Sequence, residues 1–283
     1  ASGTFGFGRE YNEFYDVGML GGISSKGLTL LPREGNDGVR IAETPSGILN
    51  CVGLQNPGVE AFIERELPFM RESGAVVIAN AAGSSLQDYE KICERLSETD
   101  VDMIELNISC PNVRCGGMSF GVLPSSVEEV TRAARSHCSK PLIVKLTPNV
   151  SDIADNARAA ENGGADAVSL INTLTGMAVD VYTRRPVLGN VTGGLSGPCV
   201  KPVALRMVRQ VYKAVSVPVI GLGGITSARD VLEFMLCGAA AVQVGTANLS
   251  DPLACADIVN GLTAEMEKCR IDDINDIVGK LLD

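Results

Sequence analysis

The sequence predicts an α/β protein of parallel strands closed as a (β/α)8 TIM barrel, and three observations carry this. Seven apolar runs of strand character alternate with amphipathic stretches of helical length over most of the 283 residues. The last two runs end in small residues, Gly221, Gly223 and Gly224 in one and Gly245 with Thr246 in the other, and a helix start follows each. Barrels commonly bind a phosphate with the loops after strands seven and eight, which favours a closed barrel over a doubly wound sheet. No repeat, linker or composition shift divides the chain, so 1–283 reads as a single domain.

Taken in order, the first run is GMLGGISSK at 18–26. An eighth strand is expected ahead of it, with ASG at residues 1–3 as its tail, so the first strand reads as missing or truncated. A helix expected over 58–73 precedes AVVIANAAG at 75–83, and one over 85–98 precedes VDMIELNIS at 101–109. Helices over 125–138 and 151–163 lead into PLIVKLTPN at 141–149 and DAVSLINTL at 166–174. Those over 201–214 and 227–237 lead into VPVIGLGGI at 217–225 and AAVQVGTAN at 240–248, and a last helix is expected over 252–268. Ser84 or Ser85, Ser126, Ser151 and Ser227 are the expected N-caps, because a short side-chain oxygen there accepts from an N–H the helix leaves free. Residues 174–200, rich in Gly, Thr and Arg, read as a long irregular loop after a strand end, and we favour an active-site cover over a plain surface loop.

Composition removes several function classes. At 45% hydrophobic the chain can bury a large core, and its formal charge of −10 argues against nucleic acid, whose phosphates need a basic stripe. No apolar run approaches the roughly 18 to 20 residues of a membrane span, and ASGTFGFGREYNEF has no signal-peptide character, so a cytoplasmic protein with no membrane contact is expected. Nine scattered cysteines without a C-x-x-C pair read as reduced thiols, and the Cys110 to Cys115 spacing is too unspecific for a metal or redox pair. No metal is expected.

Chemistry gathers at the carboxyl ends of parallel strands. There the sequence places Ser25 and Lys26, Asn80, Asn107 and Cys110, Lys145, and Asn172 with Thr173. Taken singly each is ordinary, but Lys145 lies inside LIVKL and Asn172 closes SLIN. A polar group buried there without a partner costs several kcal/mol, so partners must exist. The single histidine, His137, falls near a helix end on the opposite face, which argues against a cysteine-histidine hydrolase and a histidine-ligated metal. Cys110 therefore suits removal of one proton better than nucleophilic attack. Amides and lysines without an obvious catalytic carboxylate fit a planar ligand with carbonyl and N–H edges. A phosphate-bearing flavin satisfies the glycine loops, the lysines and the flat pocket together.

ELNISCPNV, VKLTPNV, INTLTG, GGLSGP, VIGLGGI and VGTAN, in this order, closely resemble the dihydroorotate dehydrogenases, flavin enzymes of pyrimidine synthesis. The resemblance runs from ASG onward and implies an FMN-containing (β/α)8 barrel that oxidises dihydroorotate to orotate. It implies that Cys110 is the base that takes a proton from C5 while a hydride passes from C6 to the flavin N5. Asn50, Asn107, Asn112, Asn172 and Thr173 resemble the residues that hold the pyrimidine ring and its carboxylate. Lys26 and Lys145 resemble the lysines beside the isoalloxazine ring. Ala1, Ser2, Ser25, Asn80 and Asn107 are implied to lie against the flavin, with Gly197 close to it and Gly223, Gly224, Gly245 and Thr246 as the phosphate cradle.

Among the soluble enzymes, NISCPNV followed by GG, together with INT, resembles the NAD-linked class 1B more than the fumarate-reducing class 1A, which tends to read NLSCPNVPG and VNS. That implies a homodimer of this chain within a heterotetramer, with a partner subunit that carries FAD and an iron-sulphur cluster. A dihydropyrimidine dehydrogenase-like enzyme acting on uracil or thymine is the nearest competitor, and there SCPH is expected in place of Ser109-Cys110-Pro111-Asn112. A non-catalytic barrel that binds a phosphorylated metabolite explains the glycine loops but neither Cys110 nor Lys145.

Overall fold

A computed structural model of the chain describes residues 1–108 and 120–282. In chain order its strands are β1 (Gly22–Ser24), β2 (Ile41–Thr44), β3 (Gly47–Asn50), β4 (Val76–Ala81), β5 (Met103–Asn107), β6 (Leu142–Lys145) and β7 (Ala167–Leu170). They continue with β8 (Leu174–Gly176), β9 (Val179–Asp180), β10 (Arg185–Pro186), β11 (Gly193–Ser196), β12 (Val219–Leu222) and β13 (Ala241–Gln243).

Seven of them form one parallel sheet in the order β1-β4-β5-β6-β7-β12-β13. Helices Leu86–Ser97, Pro124–Ser136, Ile153–Asn162, Lys201–Tyr212 and Ala228–Cys237 follow β4, β5, β6, the β7–β11 stretch and β12, and Ala254–Cys269 comes after β13. The helices cover one face of the sheet, and the other face turns inward. β5 is buried from Ile104 to Asn107 and β6 throughout, which is why they read as continuous apolar runs and not as alternating ones.

The sheet curls on itself. Gln243 on β13 donates from Nε2 to Glu105 Oε1 on β5 at 3.0 Å, although β13 lies four places from β5 in the pairing order. In a flat sheet those strands would stand roughly 19 Å apart, so a barrel is required for the contact. Residues 1–6 bridge its two outer strands: the backbone nitrogen of Ala1 donates to Val244 O at 2.8 Å, and Lys26 N donates to Gly6 O at 3.1 Å. The described strands thus supply seven of the eight expected for the TIM barrel, with this opening segment seated between β13 and β1.

The expected helices are present, the one over 58–73 as Val59–Ala61, a π-helical turn Phe62–Glu66 and Leu67–Glu72, and Ser85 and Ser227 both close capping boxes with Asp88 and Asp230. Two expected caps are corrected. The helix after β5 starts at Pro124, whose fixed φ suits a first turn, and Ser126 falls inside it. Asp152, not Ser151, caps the next, its carboxylate accepting from Ala154 N at 2.8 Å.

Residues 174–200, expected as an irregular loop, contribute strands instead. β11 pairs antiparallel with β3 and with β8, giving a four-stranded sheet in the order β2-β3-β11-β8. It carries its own small core of Leu49, Cys51 and Leu188. The glycines that read as a turn are there for close approach: a Cβ on Gly194 would lie 2.0 Å from Thr173 Oγ1, and one on Gly193 2.6 Å from Asn50 O. Among the described residues no helix is long and apolar enough to cross a membrane.

Candidate active site

At the carboxyl ends of the parallel strands lies a cavity of about 1310 Å³, a figure that includes open solvent at its mouth. Lys26 follows β1, Asn107 and Lys145 end β5 and β6, and Asn172 and Thr173 follow β7. Gly223 and Gly224 follow β12, and Gly245 and Thr246 follow β13. The antiparallel sheet roofs the space with Ile41, Ile48, Asn50, Leu195 and Ser196, so the segment expected to cover the site does line it. Ala1, Ser2 and Gly197 complete the predicted residues brought to this wall.

Ser25 and Asn80 stand one layer behind it, wholly buried and not at the cavity surface. Ser25 Oγ accepts from Asn80 N at 3.0 Å and donates to Lys26 O at 3.0 Å, which fixes the chain that presents the lysine. Cys110 and Asn112, like Cys115, lie outside the described residues. The chain on either side of their segment meets at the end of β5, where Gly121 N donates to Ile108 O at 3.0 Å. Asn156 Nδ2 donates to Gly121 O at 2.7 Å and Tyr89 OH to Asn107 O at 2.9 Å, so both ends are tied to the helices outside.

Carboxamides form a chain along the wall. Asn172 Nδ2 donates to Asn107 Oδ1 at 3.4 Å, and Asn107 Nδ2 reaches Asn80 Oδ1 at 3.5 Å. Thr173 N donates to Asn172 Oδ1 at 2.9 Å, which sets the orientation of that amide. Asn50 Nδ2 donates to Gly194 O at 3.3 Å, joining β3 to β11 in the roof.

Lys145 is the buried cation of the floor, with its side chain 4% exposed. Its Nζ donates to Ser2 Oγ at 3.2 Å and lies 3.6 Å from Glu105 Oε2. Glu105 is the partner that Lys145 had to have, and it was not among the residues expected at the site. The signal was present: a glutamate inside MIELN poses the question that a lysine inside LIVKL does. Burial pushes the Glu105 carboxyl up, but the Lys145 ammonium and hydrogen bonds from Ser169, Gln243 and Asn80 outweigh it and hold the group below the ordinary carboxylate range. Burial, with the Arg40 guanidinium second, lowers the pKa of Lys26.

A depressed carboxylate stabilises the fold above its unfolded value, about 4.3 for glutamate, and this contribution is lost as pH falls through the folded value. Stability measured by urea unfolding is therefore expected to drop below about pH 4, and Glu105→Gln is expected to flatten that acid limb. An unchanged acid limb in the variant would show that Glu105 is not ionised in the fold.

The donor set fits a flat, phosphate-bearing cofactor. Two lysines and several amides face apolar wall from Ile171, Leu195, Val200 and Leu222, an arrangement that accepts a ring with polar edges. Gly197 and Gly224 both have left-handed φ, +109° and +78°, and a Cβ on Gly224 would lie 2.9 Å from Gly197 O. Only glycine lets these two turns approach, leaving backbone rather than side chain along that wall. Among the described residues no cluster of three or more His, Cys, Asp or Glu is placed to hold a metal ion.

The family model described as Dihydroorotate dehydrogenase matches residues 1–266. The chain is 56% identical over 281 residues to the "Dihydroorotate dehydrogenase B (NAD(+)), catalytic subunit" of Alkaliphilus oremlandii, covering 99% of this chain and 93% of that protein. It is 53% identical to the protein of the same description from Thermoanaerobacter pseudethanolicus, over 281 residues, with the same 99% and 93% coverage. It is 52% identical over 279 residues to that of Petrotoga mobilis, again covering 99% and 93%.

Proposed function

The chain belongs to the dihydroorotate dehydrogenase family, and from that premise we propose that it is the catalytic subunit of the NAD-linked class 1B enzyme, oxidising dihydroorotate to orotate in pyrimidine biosynthesis. The single observation that carries this reading is the meeting of Lys26, Lys145, the carboxamides and the glycine turns around one roofed cavity at the carboxyl ends of the strands. FMN, when bound, supplies the acceptor for the hydride that leaves C6 of dihydroorotate.

The chain's own residues do the rest. Gly223, Gly224, Gly245 and Thr246 hold the phosphate with backbone groups, and Gly197 lets the neighbouring turn come close. Lys26 and Lys145 place positive charge beside the ring system, where negative charge gathers on reduction. Ala1 and Ser2 lie along the same wall, and Ser25 and Asn80 brace it from behind. Asn50, Asn107, Asn112, Asn172 and Thr173 offer donors and acceptors to the edges and carboxylate of the pyrimidine. Cys110 takes the proton from C5. A thiol, with an ordinary pKa near 8.5, suits that one-proton task, and His137 is an exposed helix cap ahead of Leu142, where β6 begins, at the opposite end of that strand from Lys145.

Residues 1–283 act as one domain in this reading. Two copies associate, and each passes electrons to a subunit carrying FAD and an iron-sulphur cluster, from which NAD takes them. In this reading the assembly works in the cytoplasm and contacts neither nucleic acid nor membrane.

A titration of the purified protein with FMN, followed by anaerobic addition of substrate, tests the reading. The expected result is a yellow protein that bleaches with dihydroorotate and not with dihydrouracil. A protein that cannot be loaded with FMN, or one that bleaches only with dihydrouracil, would overturn it.

A further inference from the structure

Glu105 is fully buried, and polar groups from five other strands face it. Ser24 Oγ on β1 and Asn80 Nδ2 on β4 donate to Oε2 at 3.2 and 2.6 Å. Ser169 Oγ on β7 and Gln243 Nε2 on β13 donate to Oε1 at 2.8 and 3.0 Å. Lys145 on β6 stands 3.6 Å from Oε2. A carboxylate offers about four lone-pair sites, so the four neutral donors fill it and leave Lys145 as a contact of charge and not a hydrogen bond.

Two consequences follow from this geometry. The carboxylate cannot turn, because each oxygen is held by donors from two strands. Its charge also does not depend on taking a proton from Lys145, whose ammonium stays free to donate upward to Ser2 Oγ at the cavity wall. The anion that accepts from four donors also adds a negative charge under the cavity's buried cation, in an interior where little solvent screens it.

We propose that Glu105 is a positioning residue that sets the electron affinity of the bound FMN, by fixing Lys145 and offsetting part of its charge. A lone buried ammonium would stabilise the negative charge that the flavin gains on reduction and so retain electrons that must move on. Glu105 lowers that affinity and keeps the electrons transferable. This inference rests on the FMN reading of the cavity.

The experiment compares wild type, Glu105→Gln, Lys145→Gln and the double variant, each reconstituted with FMN, for FMN dissociation constant and flavin midpoint potential. Glu105→Gln is expected to keep FMN and to raise the reduced-to-oxidised ratio at a fixed poise about tenfold, roughly 30 mV upward for a two-electron couple. Lys145→Gln is expected to shift the potential downward, and the double variant to fall between the two. A Glu105→Gln protein whose melting temperature falls while its potential stays at the wild-type value overturns the proposal, since a merely structural hub acts that way. If Glu105→Gln does not retain flavin, the double variant is compared with Lys145→Gln. A higher potential in the double variant supports the proposal, and an equal one overturns it. Failure of wild type itself to bind FMN would remove the functional reading, whereas FMN binding with an unmoved potential would remove only this inference.

Discussion

Cys110→Ala is expected to slow bleaching of the bound FMN by dihydroorotate by about 10²- to 10⁴-fold, the range a positioned acid or base contributes to proton transfer. The loss should fall on the rate, with FMN affinity unchanged, because the substitution leaves the glycine turns and both lysines in place. Among the described residues, three kinds of side chain that could serve as a base are engaged or placed elsewhere. His137 caps a helix end and is exposed, Glu105 is sealed below the floor by four donors, and the lysines are held by Ser2 and by burial. Cys110→Ser should keep part of the activity, chiefly at high pH, since a hydroxyl is a far weaker acid than a thiol with its ordinary pKa near 8.5. Stopped-flow absorbance under anaerobic conditions reads both variants. Bleaching of Cys110→Ala at the wild-type rate would show that the thiol is not the base.

The second large effect is on stability. Lys145→Met keeps the length and apolar stem of the side chain but leaves Glu105 in the barrel without a counter-charge. Breaking a buried pair by removing one partner typically costs about 3 to 5 kcal/mol. Here the cost should sit near the lower end, because Ser24, Asn80, Ser169 and Gln243 still solvate the carboxylate. Adding Glu105→Gln to Lys145→Met should restore most of the loss, since a neutral amide replaces the stranded charge. Urea unfolding of the three proteins gives the comparison. A loss below about 1 kcal/mol in Lys145→Met would mean that Glu105 takes a proton instead of remaining ionised.

What the sequence made legible was mostly local. Strands β5 and β6 announce themselves because burial on both faces leaves mostly apolar runs, and Ser227, and Ser85 as one of two adjacent serines, could be read because a capping box lies within four residues. Ser126 misled because a proline two residues earlier had already begun the helix. The roof was hidden for a different reason. Its register joins Gly194 to Asn50 and to Thr175, partners 144 and 19 residues away, and nothing in a Gly-rich stretch marks such pairing.

The site followed the same division. Lys145, Asn107 and Asn172 could be placed from their positions at strand ends, and the cavity gathers them as that placement requires. Ser25 and Asn80 share those strand ends but face the layer behind, a distinction that the pleat decides and the sequence pattern leaves open. Glu105 was overlooked although MIELN carries the same warning as LIVKL, because its partners come from five other strands and become a cluster only when the sheet curls.

A crystal structure of the complex with FMN and orotate tests the central claim most directly. The phosphate is predicted between the Gly223-Gly224 and Gly245-Thr246 turns, with the ring system against Lys26 and Lys145 and Cys110 Sγ facing C5 of orotate. A phosphate bound elsewhere, or a Cys110 thiol turned away from the pyrimidine, would contradict the account.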